Sequence, residues 1–316
     1  MQTALIVLLN GISYGLLLFM LSSGLTLILG MMGVLNFAHA SFYMLGAYFA
    51  YEVSRHVGFW PGLIVAPILV GGIGALIERY GLRHIHRYGH AAELLFTFGL
   101  AYMIEEVVHL VWGAAAVDYP IPASMNGIAF SVAGFGYSSY RLFMMGVSVA
   151  MLIALHYGLT RTRVGLVIQA AITHPDMTEA LGHNVPRTMM IVFSGGAALA
   201  GLAGVIGGNA FVTEPGMAAS VGSIIFVVVI VGGMGSLKGA FVASLLVGLL
   251  QTAATTSKAS FQGLMHFLGL APLSNGILSD FARITLAQFA PLVPYVLLIA
   301  ILVIRPQGMF GKRDVS

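Results

Sequence analysis

Two polar side chains follow a glycine-containing interruption early in an otherwise apolar sequence. Gly30 and Gly33 break the apolar run, and Asn36 and His39 come shortly after them. An Asn side chain can cap free backbone groups, and a His ring can donate and accept hydrogen bonds. The residues alone leave two interpretations open: a structural cap at a broken helix, or part of a polar route for a small solute.

A second interruption lies further along the chain, where Gly233, Gly235 and Ser236 divide another apolar run. Glycine-interrupted segments in both halves of a transport protein point to its substrate route, because broken helices are tolerated in a membrane only beside protein or water. We therefore predict that both breaks border such a route. The predicted lining residues are Gly33, Asn36, Phe37, His39, Gly233, Gly235 and Ser236. The Gly-Met sequences that the two breaks share also suggest an internal repeat.

Two further groups of ionisable residues allow other chemistry. Glu105 and Glu106, with His109 one helical turn further on, could relay protons or could reach water at an interface. The three histidines of the 81–92 segment have a spacing that suits a metal, but the arginines beside them would repel a cation. For these histidines we expect a solvated face and no metal site.

The composition limits the class of protein. Of 316 residues, 59% are hydrophobic and 8% are charged, whereas soluble domains carry charge at about 25% of positions. So few charges exclude a cytosolic enzyme, a nucleic-acid-binding module and a disordered protein. Cysteine is absent, which excludes disulfides and thiolate sites. The sequence has no Gly-x-x-x-x-Gly-Lys-[Ser/Thr] phosphate loop, so any ATP must be bound by a separate subunit.

Nine apolar runs have the roughly 20 residues that a membrane-crossing helix needs. The runs cover 4–30, 37–55, 61–80, 93–113, 140–159, 188–211, 219–235, 238–256 and 286–304. They predict an all-α polytopic membrane protein with eight or nine transmembrane helices, some broken by glycine, in one domain over 1–316. Small residues recur every fourth position at Gly196, Ala200, Gly204 and Gly208, which predicts close helix packing or, alternatively, a moving gate or pore lining.

The positions of Lys and Arg predict the orientation, since these residues are retained on the cytoplasmic side. Ten of the fourteen fall in segments that nine spans place on one side of the membrane. They are Arg79, Arg83, Arg87, Arg161, Arg163, Arg187, Lys238, Arg305, Lys312 and Arg313. We therefore predict an external N-terminus and a cytoplasmic C-terminus.

Four long polar intervals separate the apolar runs, namely 81–92, 114–139, 160–187 and 257–285. Residues 114–139 predict an external loop, and 160–187 predict a cytoplasmic loop whose helical stretches are broken at Pro175 and Pro186. The cytoplasmic loop is too polar to insert, so it is a favourable place for another protein to dock. The interval 257–285 is long for a connection, and the sequence supplies no physical reason for its length.

Short motifs follow one another in order along nearly the whole chain. They are Asn10-Gly11, Gly15, Gly33-x-x-Asn36-Phe37-Ala38-His39, Arg163-x-Gly165, Ala180-Leu181-Gly182, Asn184, Phe193, Ala203-Gly204, Gly232-Gly233-x-Gly235-Ser236-x-x-Gly239-Ala240 and Arg305-Pro306-Gln307-Gly308-x-Phe310-Gly311. In this order they resemble permease subunits of branched-chain amino acid ABC transporters. The sequence departs from that family at Gln169, where arginine is common, and at His174, where an acid is common.

The resemblance implies a multi-pass protein of the bacterial inner membrane that binds no cofactor itself. Its implied partners are a second related permease or a second copy, two ATP-binding subunits that use ATP, an external solute-binding protein and membrane lipid. The residues implied to couple the chain to the ATPase are Gly165, Ala170, Glu179, Ala180, Leu181 and Gly182. Two alternatives stay open: an ion-coupled secondary transporter of small amino acids or carboxylates, and a membrane enzyme, for which no catalytic constellation is present.

Overall fold

The computed structural model describes residues 2–132, 134–257 and 285–311. Within them the elements in chain order are α1 (Gln2–Met32), α2 (His39–Val57), α3 (Phe59–Ile77), α4 (Arg83–Ile85), α5 (His90–Trp112), β1 (Ile128–Val132), β2 (Phe135–Ser138), α6 (Ser139–Arg161), α7 (Arg163–Thr173), α8 (Pro175–Ala180), α9 (Val185–Ala210), α10 (Met217–Gly232), α11 (Leu237–Thr256), α12 (Leu286–Phe289) and α13 (Val293–Ile304). A π-helical turn, Glu78–Leu82, extends α3, and short 3₁₀ turns lie at His86–Tyr88, Ala123–Met125 and Ala290–Leu292.

Each of the nine predicted apolar runs contains a helix, so the predicted fold class is confirmed. Seven helical segments of the described chain are long and apolar enough to cross a membrane. They are Ala4–Met32, Phe59–Tyr88, His90–Trp112, Ser139–Arg161, Val185–Ala210, Leu237–Thr256 and Leu286–Ile304. Of the other two runs, α10 is shorter but apolar, and α2 carries more polar residues and buries its first two-thirds inside the bundle. The predicted 257–285 insertion lies, apart from its two end residues, outside the described residues.

The predicted loop 114–139 contains strands, which an all-α expectation did not include. β1 pairs with β2 in an antiparallel hairpin, and Gly134 at its turn has a φ of +86°. The ring of Tyr137 stacks on that of Phe130 at 5.3 Å, and its hydroxyl bonds to Ser13 on α1. Because these contacts bury Tyr137 against α1, the hairpin is fixed to the helix bundle.

Glycines allow the longest helices to touch backbone to backbone. α9 crosses α1 where Gly196 faces Gly24, and it crosses α2 where Gly204 lies against the backbone of Tyr43. A Cβ atom at Gly204 would lie 1.9 Å from the carbonyl oxygen of Tyr43. Small residues replace the hydrophobic driving force that lipid cannot supply between helices. The close-packing interpretation of the small-residue stripe is therefore confirmed.

Three basic segments lie at the same end of the bundle. The guanidinium of Arg83 donates to the carbonyl oxygen of Pro186 at 2.9 Å, which joins the segment after α3 to the one before α9. The end of α1 packs against α7 at this end. The backbone of 309–310 donates to that of 231–232, beside the point where α11 begins against the end of α1. The predicted grouping of the basic segments is thus observed for the described residues, whereas Lys312 and Arg313 lie outside them.

Two groups of three helices, α1–α2–α3 and α9–α10–α11, pack in equivalent ways but run in opposite directions through the bundle. α1 ends at the basic end of the bundle, whereas α9 begins there. α1 packs along α11, and α9 packs along α3. Six residues, 33–38 and 211–216, separate the first helix from the second in each group. The residue before each second helix has nearly the same backbone conformation: φ −74° and ψ −1° at Ala38, φ −71° and ψ −7° at Gly216. Inverted repeats of this kind occur in many transporters.

The repeat suggested by the shared Gly-Met sequences is therefore wrong in its pairing. The segment after Gly30 corresponds to 211–216, and the break at Gly233 corresponds to the glycine between α2 and α3, Gly58. Both of these glycines end a second helix with positive φ, at +99° and +92°. The two Gly-Met segments instead touch each other, because a Cβ at Gly235 would lie 2.6 Å from the Cα of Gly30.

Candidate translocation surface and coupling segment

Polar side chains satisfy the backbone of the break at 33–38. The side-chain oxygen of Asn36 accepts a hydrogen bond from the backbone N–H of Ala38 at 3.1 Å. On α5, the Thr97 hydroxyl accepts from the N–H of Phe37 at 3.3 Å and contacts a carbonyl of the same break at 3.4 Å. Extended residues at membrane depth lack the backbone hydrogen bonds of a helix, and these side-chain bonds replace those hydrogen bonds. Asn36 therefore caps the break, as the structural interpretation expected.

His39 is the first residue of α2 and is buried. Its Nε2 atom lies 3.0 Å from the carbonyl oxygen of Leu21, in the middle of α1. Its Nδ1 atom and the Nδ2 atom of Asn36 are buried without a hydrogen-bond partner in the described part of the chain. A buried polar atom left unpaired costs free energy. The break therefore keeps two unpaired polar atoms in the interior of the bundle.

Phe37 differs from its neighbours because 40% of its side chain is exposed. Its ring centroid lies 5.0 Å from that of Phe226 on α10 and 6.2 Å from that of Phe98 on α5. The three rings form an aromatic cluster on the surface of the bundle, next to the break. Of the predicted lining residues near 36–40, Phe37 is the one that reaches an open surface in the described structure.

The second break holds helices together. Gly233 has a φ of +99°, and a Cβ there would lie 2.4 Å from the backbone nitrogen of Gly311. The hydroxyl of Ser236 accepts from the N–H of Gly239 at 3.1 Å and caps α11. Gly33, at the first break, has a φ of +67° and lies near His90. These contacts explain why glycine and serine occur at these positions, and lining of a route by Gly33, Gly233, Gly235 and Ser236 stays a prediction.

Neither acid of the Glu105–Glu106 pair has an ion-pair partner in the described structure. The side chain of Glu106 is exposed and that of Glu105 is partly buried. His109, one turn further along α5, accepts a backbone hydrogen bond from Gly113 and makes no described side-chain bond. The structure therefore brings these three residues to one helix end without linking them into a relay.

The three histidines after α3 are exposed, as the sequence analysis expected, and two of them also bond to a buried carboxylate. The imidazoles of His86 and His90 both bond to the carboxylate of Glu93, which is buried at the start of α5. Glu78, also buried, forms a two-bond ion pair with Arg83 at 2.8 and 3.2 Å. The sequence analysis missed both carboxylates, although Glu78 lies a few residues before the histidines and Glu93 a few residues after them. No group of acidic or histidine residues in the described chain could hold a metal ion.

The Glu78–Arg83 ion pair gives a prediction about stability. Arg83→Met should lower the free energy of unfolding by about 1–3 kcal/mol, because the buried Glu78 carboxylate loses its partner while Arg83 itself is partly exposed. Thermal unfolding of the purified protein in detergent measures the change. Arg83→Met combined with Glu78→Gln should recover part of the loss, and Arg87→Met, at an exposed arginine that bonds only to Tyr88, should change little. A single variant at position 83 that melts like the unmodified protein contradicts the assignment.

The predicted 160–187 loop consists of two short helices, α7 and α8, before the start of α9. The hydroxyl of Thr162 accepts from the N–H of Gly165 at 3.0 Å and caps α7. A Cβ at Gly165 would lie 2.3 Å from the carbonyl oxygen of Gly158, so glycine lets α7 turn back tightly against α6. Pro175 occupies the first turn of α8, as the sequence suggested, because its fixed φ suits that position.

The outer surface of this segment presents large apolar side chains among charged and polar ones. Leu181 is 78% exposed and Met177 is 66% exposed, and α7 adds two more exposed apolar side chains, Val164 and Leu166. Gly182 follows with a φ of +85° and open space around it. Of the other predicted coupling residues, Glu179 and Ala170 are exposed, and Ala180 lies at the end of α8. Large exposed apolar side chains outside the membrane-spanning part are typical of a surface that contacts another protein.

The sequence analysis missed a polar strip on α10. Glu214, Gly216, Ser220 and Ser223 are exposed between the break at 211–216 and the aromatic cluster of Phe37. The outward surfaces of α3, α5, α6 and α13 carry large apolar residues instead, as lipid contact requires. An acid beside Pro215 and Gly216, between two apolar runs, was the sequence signal that could have identified this strip.

Comparison with known proteins agrees with this architecture. The profile of a family described as "Branched-chain amino acid transport system / permease component" matches residues 7–302. The chain is 26% identical to the high-affinity branched-chain amino acid transport system permease protein LivH of Salmonella typhimurium, over 97% of this chain and 95% of the relative. It is also 26% identical to the corresponding protein BraD of Pseudomonas aeruginosa, over 98% and 96%. A probable LivH of Methanocaldococcus jannaschii is 26% identical, over 96% and 91%. The chain therefore belongs to the family of branched-chain amino acid transport permeases.

Proposed function

We propose that this chain is the membrane-spanning permease subunit of an ATP-driven importer for branched-chain or related amino acids. The single observation that carries the proposal is the segment α7–α8, which presents exposed apolar side chains at the end of the bundle where the basic segments meet. An ATP-binding subunit that binds this segment would act directly on α6 and α9, because the segment connects these two helices.

The basic end is proposed to be cytoplasmic, since Lys and Arg resist export. In this orientation α1 begins outside, and the β1–β2 hairpin lies on the external side with it. The 305–311 segment lies at the cytoplasmic end. The membrane is proposed to be the inner membrane of a bacterium, since two of the relatives described above are bacterial proteins.

The proposed partners follow from what the chain itself lacks. It has no phosphate-binding loop, so two separate ATP-binding subunits would supply ATP hydrolysis. A second permease, either a related chain or another copy, would face the polar strip of α10 and close the route. An external solute-binding protein would dock beside the β1–β2 hairpin and deliver the amino acid.

An uptake experiment separates this function from ion-coupled transport. Proteoliposomes that contain the chain with its proposed permease and ATP-binding partners should take up L-leucine only with ATP and binding protein present. Vanadate should stop this uptake, because it blocks ATP hydrolysis. A protonophore should leave it unchanged, because the proposed mechanism needs no proton gradient.

The opposite pattern would overturn the proposal. Uptake that occurs without ATP-binding subunits and collapses with a protonophore would favour the ion-coupled transporter. In that case Glu105→Gln or Glu106→Gln should abolish uptake, whereas the ATP-driven mechanism predicts that neither substitution has a large effect.

A further inference from the structure

A cavity of about 290 Å³ lies where α1, α2 and α10 meet beside the break at 211–216. Its size is close to the lower limit for small-molecule sites, which is roughly 300 Å³. The cavity opens on the side of the bundle that carries the polar strip of α10. Its lining combines one carboxylate, two tyrosines and a wall of apolar side chains, so its chemistry can be analysed group by group.

The carboxylate is that of Glu214, in the last residues before α10. No described residue forms an ion pair or side-chain hydrogen bond with it. A carboxylate at the mouth of a partly apolar cavity favours a cation there, because opposite charges attract more strongly where water is reduced. Glu214 is thus placed to bind an ammonium group.

Two hydroxyl groups complement this carboxylate. Tyr14 of α1 and Tyr43 of α2 both line the cavity, and neither hydroxyl bonds to another residue in the described structure. Free hydroxyls can donate hydrogen bonds to a carboxylate. The N-terminus of α10, which begins at Met217 on the cavity wall, adds the partial positive charge of the helix dipole. The cavity therefore offers donors for an anionic group as well as an acceptor for a cationic one.

The remaining wall is apolar. Leu17 and Leu21 come from one face of α1, and Val221 and Ile224 come from α10. A branched aliphatic side chain placed between these four would be removed from water at a gain of about 25 cal/mol per Å² of apolar area. The wall carries no charged group, so a charged or strongly polar side chain would be left without a partner there.

The position of the cavity fits a transport route better than a lipid-facing groove. Ser220 and Ser223 continue from its mouth along the exposed face of α10, and Phe226 and Phe37 stand beyond them. The Ser220 hydroxyl donates to the carbonyl oxygen of Gly216 at 3.1 Å, and the Ser223 hydroxyl accepts from the hydroxyl of Tyr295 on α13 at 2.7 Å. The exposed Glu214 carboxylate has no such partner among the described residues, and an unpaired acid is costly against hydrocarbon but tolerated beside water or protein. The acid at the cavity mouth, the exposed face of α10 and the aromatic cluster therefore follow one another along one side of the bundle.

We propose that this cavity binds the transported amino acid, with its ammonium group on Glu214, its carboxylate on the hydroxyls of Tyr14 and Tyr43, and its aliphatic side chain against Leu17 and Val221. The inference rests on the proposed function and assigns that function a binding site in the membrane. The unpaired carboxylate and the two unpaired hydroxyls select a zwitterion, and the apolar wall selects a small aliphatic side chain.

Photo-crosslinking with photo-leucine, the diazirine analogue of leucine, tests the site in the assembled transporter. Mass spectrometry should locate the label on the α1 and α10 peptides that contain Leu17, Leu21, Val221 and Ile224. L-Leucine should compete with the label, whereas 4-methylpentanoate, which has the same aliphatic chain and carboxylate but no ammonium group, should not. Glu214→Gln should reduce labelling at least about tenfold, because a charge-assisted bond is lost.

Two further variants keep the test decisive. Glu106→Gln removes an exposed carboxylate outside the cavity and should leave labelling intact. Val221→Trp fills the cavity without changing its charge and should block labelling even if Glu214→Gln assembles poorly. Label on other peptides, or equal competition by 4-methylpentanoate, overturns the site.

The same preparation separates failure of the site from failure of the function. Vanadate-sensitive ATP hydrolysis and ATP-driven uptake report the proposed function directly. If both are present while photo-leucine labels other helices, the binding site is wrong and the importer function stands. If uptake needs no ATP-binding subunit, the proposed function itself fails.

Discussion

Replacing Leu181 with aspartate is expected to reduce ATP-driven uptake by about tenfold or more, while the amount of permease in the membrane stays unchanged. Leu181 is the most exposed apolar residue of the α7–α8 segment, at 78%. An apolar side chain that fills a pocket in a partner contributes about 2 kcal/mol or more when it is a dominant contact. A carboxylate in that pocket would be desolvated without a partner, which adds to the loss. Uptake of labelled L-leucine into proteoliposomes, normalised to inserted permease, measures the effect.

The matched control is Tyr88→Asp. Tyr88 is also a large exposed side chain at the basic end, at 65%, but it lies in the turn after α4. If the α7–α8 segment is the coupling element, this substitution should leave most of the uptake. Equal loss in the two variants, or full uptake with Leu181→Asp, would contradict the assignment of the coupling segment.

Gly204→Ala is expected to give a large loss of stability from a single added methyl group. Its Cβ atom would lie 1.9 Å from the carbonyl oxygen of Tyr43 and 2.9 Å from the backbone nitrogen of Ala47. Both contacts are with backbone, so no side chain can rotate away, and α2 and α9 must separate. Such overpacking costs about 1–3 kcal/mol, and occasionally more. The temperature of thermal unfolding in detergent and the monodispersity of the purified protein measure this loss of stability.

Gly195→Ala is the control in the same helix. A Cβ at Gly195 meets nothing within 4 Å. Alanine is a better helix former than glycine by about 0.8–1 kcal/mol, so this variant should be as stable as the unmodified protein or slightly more stable. If Gly204→Ala and Gly195→Ala unfold at the same temperature, the α2–α9 contact is looser than described here.

Hydropathy was sufficient to predict the spanning helices. Each of the nine apolar runs contains a helix because, without water, a backbone in lipid must satisfy its own hydrogen bonds, and a helix does so within one segment. The two helices of the coupling segment were also predictable, since Pro175 acts on its immediate neighbours through its fixed φ and missing N–H. These properties depend on residues close together in the sequence.

The side chains that bond to the helix breaks could not be predicted from neighbouring residues in the same way. Thr97 lies 60 residues from Phe37, to whose backbone it bonds. Glu93 bonds to two exposed histidines, and the sequence analysis assigned it no partner. The correspondence between 33–38 and 211–216 has no shared residue pattern, because a backbone conformation can be built from different side chains. The shared Gly-Met sequences suggested a repeat, but they belong to two segments that contact each other.

The sequence by itself therefore determined that the chain is a helical membrane protein, where its helices lie, and which polar segments connect them. The tertiary structure alone decided which helices meet, which face of α10 is polar and exposed, and that Glu214, Tyr14 and Tyr43 surround one cavity. The physical reason is that transfer into lipid is a sum over neighbouring residues, whereas a binding site depends on contacts between residues that are far apart in the chain and meet only when the helices pack.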